Sequence, residues 1–339
     1  DLFFTAEENR ETYKQLARSS DRVRYGEVVS VHGHDAFLIE FEQLEKLIGG
    51  VFESSLNKNK MKILKFGGKS LANGQGITNV VEIISRSVQN KERIAVVVSA
   101  RNNATNELEN ILETAASKQD YVHLLDAFKK YQLQDFPYVD LSSEFDKLEK
   151  LFSGVHLLGD YSQKIKDEIL AQGELIAAKL VTQILNKRGI PANFTDSRAL
   201  IVTDEKFGNA QPLEKVSKER VLKHFAAHNG NTVNIVTGFI GSNEKNETTT
   251  LGRNGSNYTA ALLANFLDAG ELQNFTHVDG IFTANPDLVP TAQRIEELSF
   301  NEANELANFG ATILHAKTII PLIEKNIPLR ILNTFNPDC

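Results

Sequence analysis

Met61-Lys62-Ile63-Leu64-Lys65-Phe66-Gly67-Gly68-Lys69-Ser70 is the stretch on which the fold turns. A short apolar run carries one lysine near its end and stops at two glycines. Buried strands of parallel sheets read as near-continuous apolar runs. Glycines at the end of such a strand let the backbone approach a ligand closely and aim N–H groups at an anion. Gly68-Lys69-Ser70 looks like the end of a P-loop, but that motif needs a glycine five residues before Gly68, where Ile63 stands. An ordinary strand-to-helix turn accounts for the ten residues equally well.

Outward from this stretch, short β-branched runs alternate with longer helical patterns. Strands are expected at 63–66, 94–99, 192–195, 233–237, 275–278 and 329–332. Helices are expected at 77–89, 105–118, 120–131, 143–153, 160–187, 257–267, 301–308 and 313–325. The alternation predicts an α/β fold, a mostly parallel sheet covered by helices on both faces. In such sheets ligands sit beyond the carboxyl ends of the strands, where the Gly-rich turns fall. Before Met61 the character changes. Ser54-Ser55-Leu56-Asn57-Lys58-Asn59-Lys60 is polar without an apolar period and reads as a linker, 54–60. Met61 is the single methionine and the first residue is Asp1, so Met61 is expected to be an ancestral or alternative start. The length of 339 residues also points to two units, 1–53 and 61–339.

Composition narrows the partners. A net charge of −7 without a basic block predicts no nucleic acid partner. No apolar run approaches eighteen residues, which predicts no membrane span, and the first residues lack the regions of a signal peptide. Cys339 is the one cysteine, so neither an intrachain disulfide nor a thiolate metal cluster is expected, and no metal site of the protein's own is assigned. Together these features predict a cytoplasmic location.

Three further stretches carry chemistry. Thr250-Leu251-Gly252-Arg253-Asn254-Gly255-Ser256-Asn257-Tyr258 is a glycine-rich loop running into a helix. Helix N-termini attract anions, and Arg253 can grip a carboxylate with two parallel hydrogen bonds. Gln172-Gly173-Glu174 puts a glycine inside a helix, which costs about 1 kcal/mol against alanine and marks close approach of something. Glu174 could bind an ammonium group or simply face solvent. Thr276-His277-Val278-Asp279-Gly280, followed by Asn285-Pro286, reads by itself as strand, turn and loop, with His277 a hydrogen-bonded structural histidine.

Taken in order, these motifs resemble the aspartate kinases of the amino-acid-kinase family over about residues 61–338. Residues 65–70 match Lys-Phe-Gly-Gly-Thr-Ser except at Lys69, and Gly173-Glu174 match the end of Arg-Gly-Glu. Residues 252–258 match Gly-Arg-Asn-Gly-Ser-Asp-Tyr except at Asn257, and 276–280 match Thr-Asp-Val-Asp-Gly except at His277. Phe309-Gly310-Ala311 with Leu314-His315 matches a fifth stretch. The Asn-Gly-Ser loop and Asn333-Thr334 resemble in particular the kinase part of bifunctional aspartate kinase–homoserine dehydrogenases. The resemblance implies the amino-acid-kinase fold and phosphoryl transfer from MgATP to the β-carboxylate of L-aspartate, the first step of aspartate-family amino-acid synthesis. It implies that Lys65, with Asn257 at the place of an orienting acid, forms the catalytic pair. It places Arg253 on the substrate α-carboxylate and Glu174 on its ammonium, with Ser99 and Ser256 lining the pocket. Gly67 and Gly68 are implied as backbone donors, and Lys69, Ser70, Thr276, His277, Asp279 and Lys317 as the nucleotide side. A homo-oligomeric parent protein and regulatory ACT domains beyond residue 339 are implied as well.

The departures from the family pattern fall together. Asn257, His277, Thr312 and Gln172 stand where the family has Asp, Asp, Lys and Arg, while the substrate clamps Arg253 and Glu174 remain. Two readings follow: an active aspartate kinase in which Lys69 and Lys317 compensate, or a weak or silent kinase fold with a binding role. The first unit resembles something else. Gly33-His34-Asp35-Ala36-Phe37-Leu38 resembles the C-terminal end of homoserine O-acetyltransferases, which are α/β-hydrolases. That resemblance implies an incomplete fragment with a vestigial triad, Asp1 as its acid and His34 as its histidine.

Overall fold

The structure, a computed structural model, describes residues 6–17, 60–228, 232–284, 288–289, 291–308 and 316–337. The chain divides into two compact units, Asp1–Asn59 and Lys60–Cys339. In the first, residues 6–17 form helix α1 (Ala6–Ala17), with Lys14 paired to Glu11 one turn away. Asp1, His34 and most of the 54–60 stretch lie outside the described residues.

The second unit is organised on β1 (Lys62–Phe66). It pairs in parallel with β2 (Ile94–Val98) on one side and β8 (Glu271–Thr276) on the other. The sheet continues outward through β5 (Val233–Thr237) to β3 (Ala192–Thr195), and on the other side to β11 (Leu329–Asn333). All five pairings in this six-stranded sheet are parallel. The chain thus winds away from β1 in both directions, and the crevice beyond the carboxyl end of β1 is the topological switch point where ligands bind in such folds.

Strand periodicity sends alternate residues to opposite faces. Leu64, Phe66, Val96, Val98 and Ile235 face a core built by α2 (Gly74–Gln89), α3 (Ala104–Ala116), α4 (Val122–Leu133), α5 (Ser142–Leu158) and α6 (Gln163–Lys187). Ile63, Ala95, Val97, Val236 and Leu272 face α7 (Glu214–Ala227), α8 (Gly255–Phe266) and α10 (Ala316–Ile323). Lys65 shares the face of Ile63 at the end of β1, so its side chain leaves the sheet beneath α8. The start of α2 is set by Asn73, whose side chain accepts from the Gly76 N–H at 2.8 Å.

A second sheet holds β4 (Val202–Thr203), β6 (Ile240–Asn243) and β7 (Thr248–Thr250). Its strand β7 runs straight into the Gly252–Arg253 loop. A hairpin joins β9 (Ile281–Phe282) to β10 (Arg294–Ile295), and α9 spans Phe300–Asn308. Helix α7, the small sheet and the hairpin lie outside the strands and helices that the sequence pattern predicts. The pattern also sets the strand before residue 279 at 275–278, whereas β8 begins at Glu271, its polar Glu271, Gln273 and Asn274 masking the strand.

Candidate active site

Each wall of the site is fixed by a short-range constraint. Gly68 opens a 3₁₀ turn, Gly68–Leu71, that packs onto the loop after β2. A Cβ at Gly68 would lie 2.7 Å from the Ala100 carbonyl oxygen and 2.8 Å from that of Asn102, so only glycine fits. The Gly68 carbonyl accepts the Asn102 N–H at 2.8 Å, and the Ser99 N–H reaches the Phe66 carbonyl at 3.1 Å. The expectation that both glycines offer free donors needs correction: the Gly67 N–H is already spent on the Phe275 carbonyl at 3.2 Å, continuing the β1–β8 ladder.

Gly173 answers the question its mid-helix place raised. A Cβ there would lie 2.9 Å from the Ala100 Cβ, so glycine lets α6 press against the loop that follows β2. The next residue, Glu174, is thereby carried into the crevice, 3% exposed. Its Oε2 has no hydrogen-bond partner. Burial raises its carboxyl pKa to about 8, against the lowering effect of the Ala100 N–H and its own. Lys65 is also buried, and burial lowers its ammonium to about 8. Its Nζ stands 3.4 Å from where a Gly67 Cβ would be, so the side chain curls toward the turn.

The opposite wall is the N-terminus of α8. Gly252 and Asn254 adopt left-handed backbone, φ 75° and 61°, which bends the loop into the helix. Gly255, Ser256 and Asn257 form the first turn, with Ser256 buried and the Asn257 Oδ1 buried without a partner. Arg253 is exposed at the rim. Asp167 of α6, which sequence reasoning missed, is buried and borders the same crevice. It accepts the Gly208 N–H at 2.8 Å, the Thr250 N–H at 2.9 Å and the Thr250 hydroxyl at 3.1 Å. Burial raises its pKa more than these three donors lower it. It therefore ties the loop after β4 to the strand that leads into Arg253. Only a buried acid in a charged run, Lys166-Asp167-Glu168, could have signalled it.

Between these walls lies a cavity of about 500 Å³. Lys65, Ser99, Glu174, Arg253, Ser256 and Asn257 all line it, with Gly68 at the turn. The remaining sequence-selected residues are placed elsewhere. Ser70 is fully buried, donating to the Phe275 carbonyl at 3.3 Å and accepting from the Thr334 hydroxyl at 2.7 Å, so it holds the turn to β8 and β11. Thr276 exchanges hydrogen bonds with the Val278 backbone. Asp279 accepts from the Asn333 side chain at 2.8 Å. Lys317 donates to the Asn209 Oδ1 at 2.7 Å and the Leu251 carbonyl at 3.3 Å, bracing the back of the Gly252 loop; it borders a second cavity, not the first. Lys69 and His277 meet each other, Nζ to Nε2 at 3.2 Å. Because an ammonium can only donate, the imidazole proton sits on Nδ1; partial burial and then the Lys69 charge lower the His277 pKa. Asn285, Pro286, Thr312 and the 309–315 stretch lie outside the described residues.

Residues 60–333 match the amino acid kinase family. The chain is 32% identical to the bifunctional aspartokinase/homoserine dehydrogenase 2 of Arabidopsis thaliana, over 80% of this chain and 31% of that protein. It is 33% identical to the lysine-sensitive aspartokinase 3 of Escherichia coli, over 82% and 63% respectively. The chain thus spans from about a third to just under two thirds of the length of these curated relatives. Among solved structures, E. coli aspartokinase III in complex with aspartate and ADP superposes with a TM-score of 0.72 at 32% identity, covering 82% of this chain and 63% of that one. The Clostridium acetobutylicum aspartate kinase superposes at 0.67 with 25% identity, covering 81% and 61%. A family match over most of the chain, on a parallel sheet whose switch-point crevice carries the motif residues, leads to one statement: this chain belongs to the amino acid kinase family.

Proposed function

We propose that the second unit binds L-aspartate and MgATP and transfers the γ-phosphoryl group to the substrate β-carboxylate, releasing ADP and an acyl phosphate. The observation that carries this reading is the convergence of a buried cation, Lys65, and a buried carboxyl with one unpartnered oxygen, Glu174, on one cavity at the N-terminus of α8. Similarity to proteins named aspartokinases, one of them solved with aspartate and ADP, supports it.

In this reading Glu174 takes the substrate ammonium and Arg253 its α-carboxylate. Ser99 and Ser256 donate hydroxyls to the substrate. That leaves the β-carboxylate directed toward Lys65 and the Gly68 turn. Phosphoryl transfer needs positioning and charge neutralisation more than covalent help. Lys65 supplies a positive charge to the equatorial oxygens in a site too buried to waste it on water, and the α8 N-terminus adds its dipole. The nucleotide is read as lying toward the carboxyl end of β8, near Lys69, His277 and Asp279. Magnesium keeps several waters and binds chiefly through substrate phosphates. Asp279, exposed at the turn after β8, is the acid that would help to hold such an ion. Such an ion would supply charge neutralisation at the phosphates.

A second reading, binding without turnover, draws on the neutral Asn257 and His277 at positions where the resemblance expects acids. An ATP- and Mg²⁺-dependent hydroxamate assay with aspartate separates the two. Aspartyl hydroxamate above background supports the kinase; its absence, with aspartate still bound in calorimetry, supports the silent module.

The Arg253 assignment has its own test. Arg253→Ala is expected to raise the KM for aspartate about ten- to a hundredfold, since a charge-assisted hydrogen bond contributes about 1.5–3 kcal/mol. The KM for ATP should stay within about twofold on the same grounds. Steady-state kinetics with each substrate varied in turn would detect the reverse pattern, which would reassign that loop to the nucleotide.

A further inference from the structure

Asp167, Leu170 and Glu174 follow one another along α6 at spacings of three and four, and all three border the cavity. Residues so spaced share one face of a helix, and seven residues advance about 10 Å along its axis. Glu174 offers its own carboxyl to the cavity. Asp167, two turns nearer the helix start, is fully buried and spends its carboxylate on neighbouring chain. Its Oδ2 accepts the N–H groups of Gly208 and Thr250, and its Oδ1 accepts the Thr250 hydroxyl.

The two segments that Asp167 grips are also joined to each other. The Ala210 N–H donates to the Thr250 carbonyl at 2.9 Å. Gly208 has left-handed backbone, φ 82°, and a Cβ on it would lie 2.7 Å from the Gln163 Nε2, so this segment packs on the first turn of α6. A Cβ on Gly252 would lie 2.6 Å from the Asn209 Oδ1, so the loop leading to Arg253 packs on the same segment. The Leu251 N–H, donating to the Phe239 carbonyl at 2.8 Å, holds the other side of that loop. Arg253 follows directly and is exposed at the rim. Where its guanidinium stands therefore depends on the backbone that carries it, and that backbone is moored to α6 through Asp167.

We propose that α6 is the common frame for both clamps on the substrate's amino-acid head group, with Asp167 a positioning residue for Arg253: Glu174 stands on the helix itself, and Asp167 ties the Arg253 loop to the same helix face. This rests on the proposed roles of Glu174 and Arg253 as substrate clamps. The tie needs acceptor geometry more than charge. Asparagine can meet it, its amide oxygen taking the two N–H groups and its NH2 donating to the Thr250 hydroxyl. Alanine removes that acceptor from two backbone N–H groups. Glutamate keeps the charge but moves the oxygens by one methylene.

The test is calorimetry on the full 339-residue chain, with L-aspartate and MgADP titrated separately, so that no readout depends on turnover. Asp167→Ala should weaken aspartate binding about tenfold, since misplacing a positioning group by about 1 Å can cost up to about a hundredfold. MgADP affinity should stay within about twofold, because the change reaches only the Arg253 loop. Asp167→Asn, which can keep all three hydrogen bonds, should hold aspartate within about threefold of the wild-type chain. The deciding measurement is the double variant with Arg253→Ala. If Asp167 acts through Arg253, adding Asp167→Ala to Arg253→Ala weakens aspartate by less than about twofold more. A general staple would weaken aspartate again, and MgADP with it. A full further loss in the double variant, or an unweakened aspartate affinity in Asp167→Ala, overturns the proposal. Should Asp167→Ala fail to fold, Asp167→Glu goes through the same cycle and is overturned by the same two results. If aspartate binds with the non-additive pattern but the wild-type chain forms no hydroxamate, the frame stands and the kinase reading falls. If hydroxamate forms and the two losses add in full, the kinase reading stands and Asp167 has no such role.

Discussion

Lys65→Met is expected to lower kcat by about two to three orders of magnitude, the usual loss when one preorganised donor to a transition state is removed. The aspartate KM should change little, because Glu174 and Arg253 hold that substrate in the proposed arrangement. The same change should raise thermal stability near neutral pH. Burial lowers the Lys65 ammonium from its ordinary 10.5 to about 8, so the folded chain resists carrying that charge. With a depressed folded pKa, the wild-type chain gains stability as pH rises from about 8 toward 10.5, and the destabilisation is complete below 8. Methionine keeps the length and removes the charge. A melting temperature that rises while turnover collapses distinguishes a functional cation from a structural one. A drop in both would mean that Lys65 holds the fold.

Glu174→Gln is the second large effect. Glutamine keeps the shape and one acceptor but cannot neutralise an ammonium, so the aspartate KM should rise about ten- to a hundredfold. The pH dependence of stability should change with it. The Glu174 pKa is raised from 4.5 to about 8 by burial, so the folded state holds the proton more tightly than the unfolded one. The unliganded chain then loses stability as pH rises from about 4.5 through 8. Glu174→Gln should flatten that slope, a difference readable in melting temperatures at pH 6 and pH 8.5. An unchanged aspartate KM would remove Glu174 from the substrate site.

The sheet was legible because three of its four inner strands, β1, β2 and β5, are largely apolar runs followed by glycine or serine. Ile94–Val98 and Val233–Thr237 could hardly be anything else once Ile63–Phe66 was read as their neighbour. The wall of the cavity was legible for a different reason. Gly68, Gly173 and Gly252 sit where a side chain would collide with the backbone or a neighbour, and the chemistry-bearing residue stands within one position of Gly173 and Gly252. Direction was not legible. Gly67-Gly68-Lys69-Ser70 does not say which hydroxyl or N–H turns inward; Ser70 and the Gly67 N–H both face β8 instead. Long-range ties were not legible either. Asp167 looks like one charge among several on a helix, yet its partners Gly208 and Thr250 lie 41 and 83 residues away. Helix α7 escaped because Val221 and Phe225 are its only buried large apolar residues in a run dense with charge. The resemblance directs Lys317 toward the phosphates, whereas its ammonium donates to Asn209 and to the Leu251 carbonyl behind the loop.

The central claim is that an amino acid enters this cavity with its ammonium on Glu174. At pH 7 a carboxyl with a pKa of about 8 is protonated in about nine molecules of ten. Pairing with an ammonium favours the ionised form, so binding must expel that proton. Calorimetric titration of the chain with L-aspartate, repeated at pH 7 in buffers of different ionisation enthalpy, counts it directly. The account predicts release of close to one proton per aspartate bound, falling to near zero in Glu174→Gln. Aspartate binding with no proton release in the wild-type chain, or with the same release in Glu174→Gln, would contradict it.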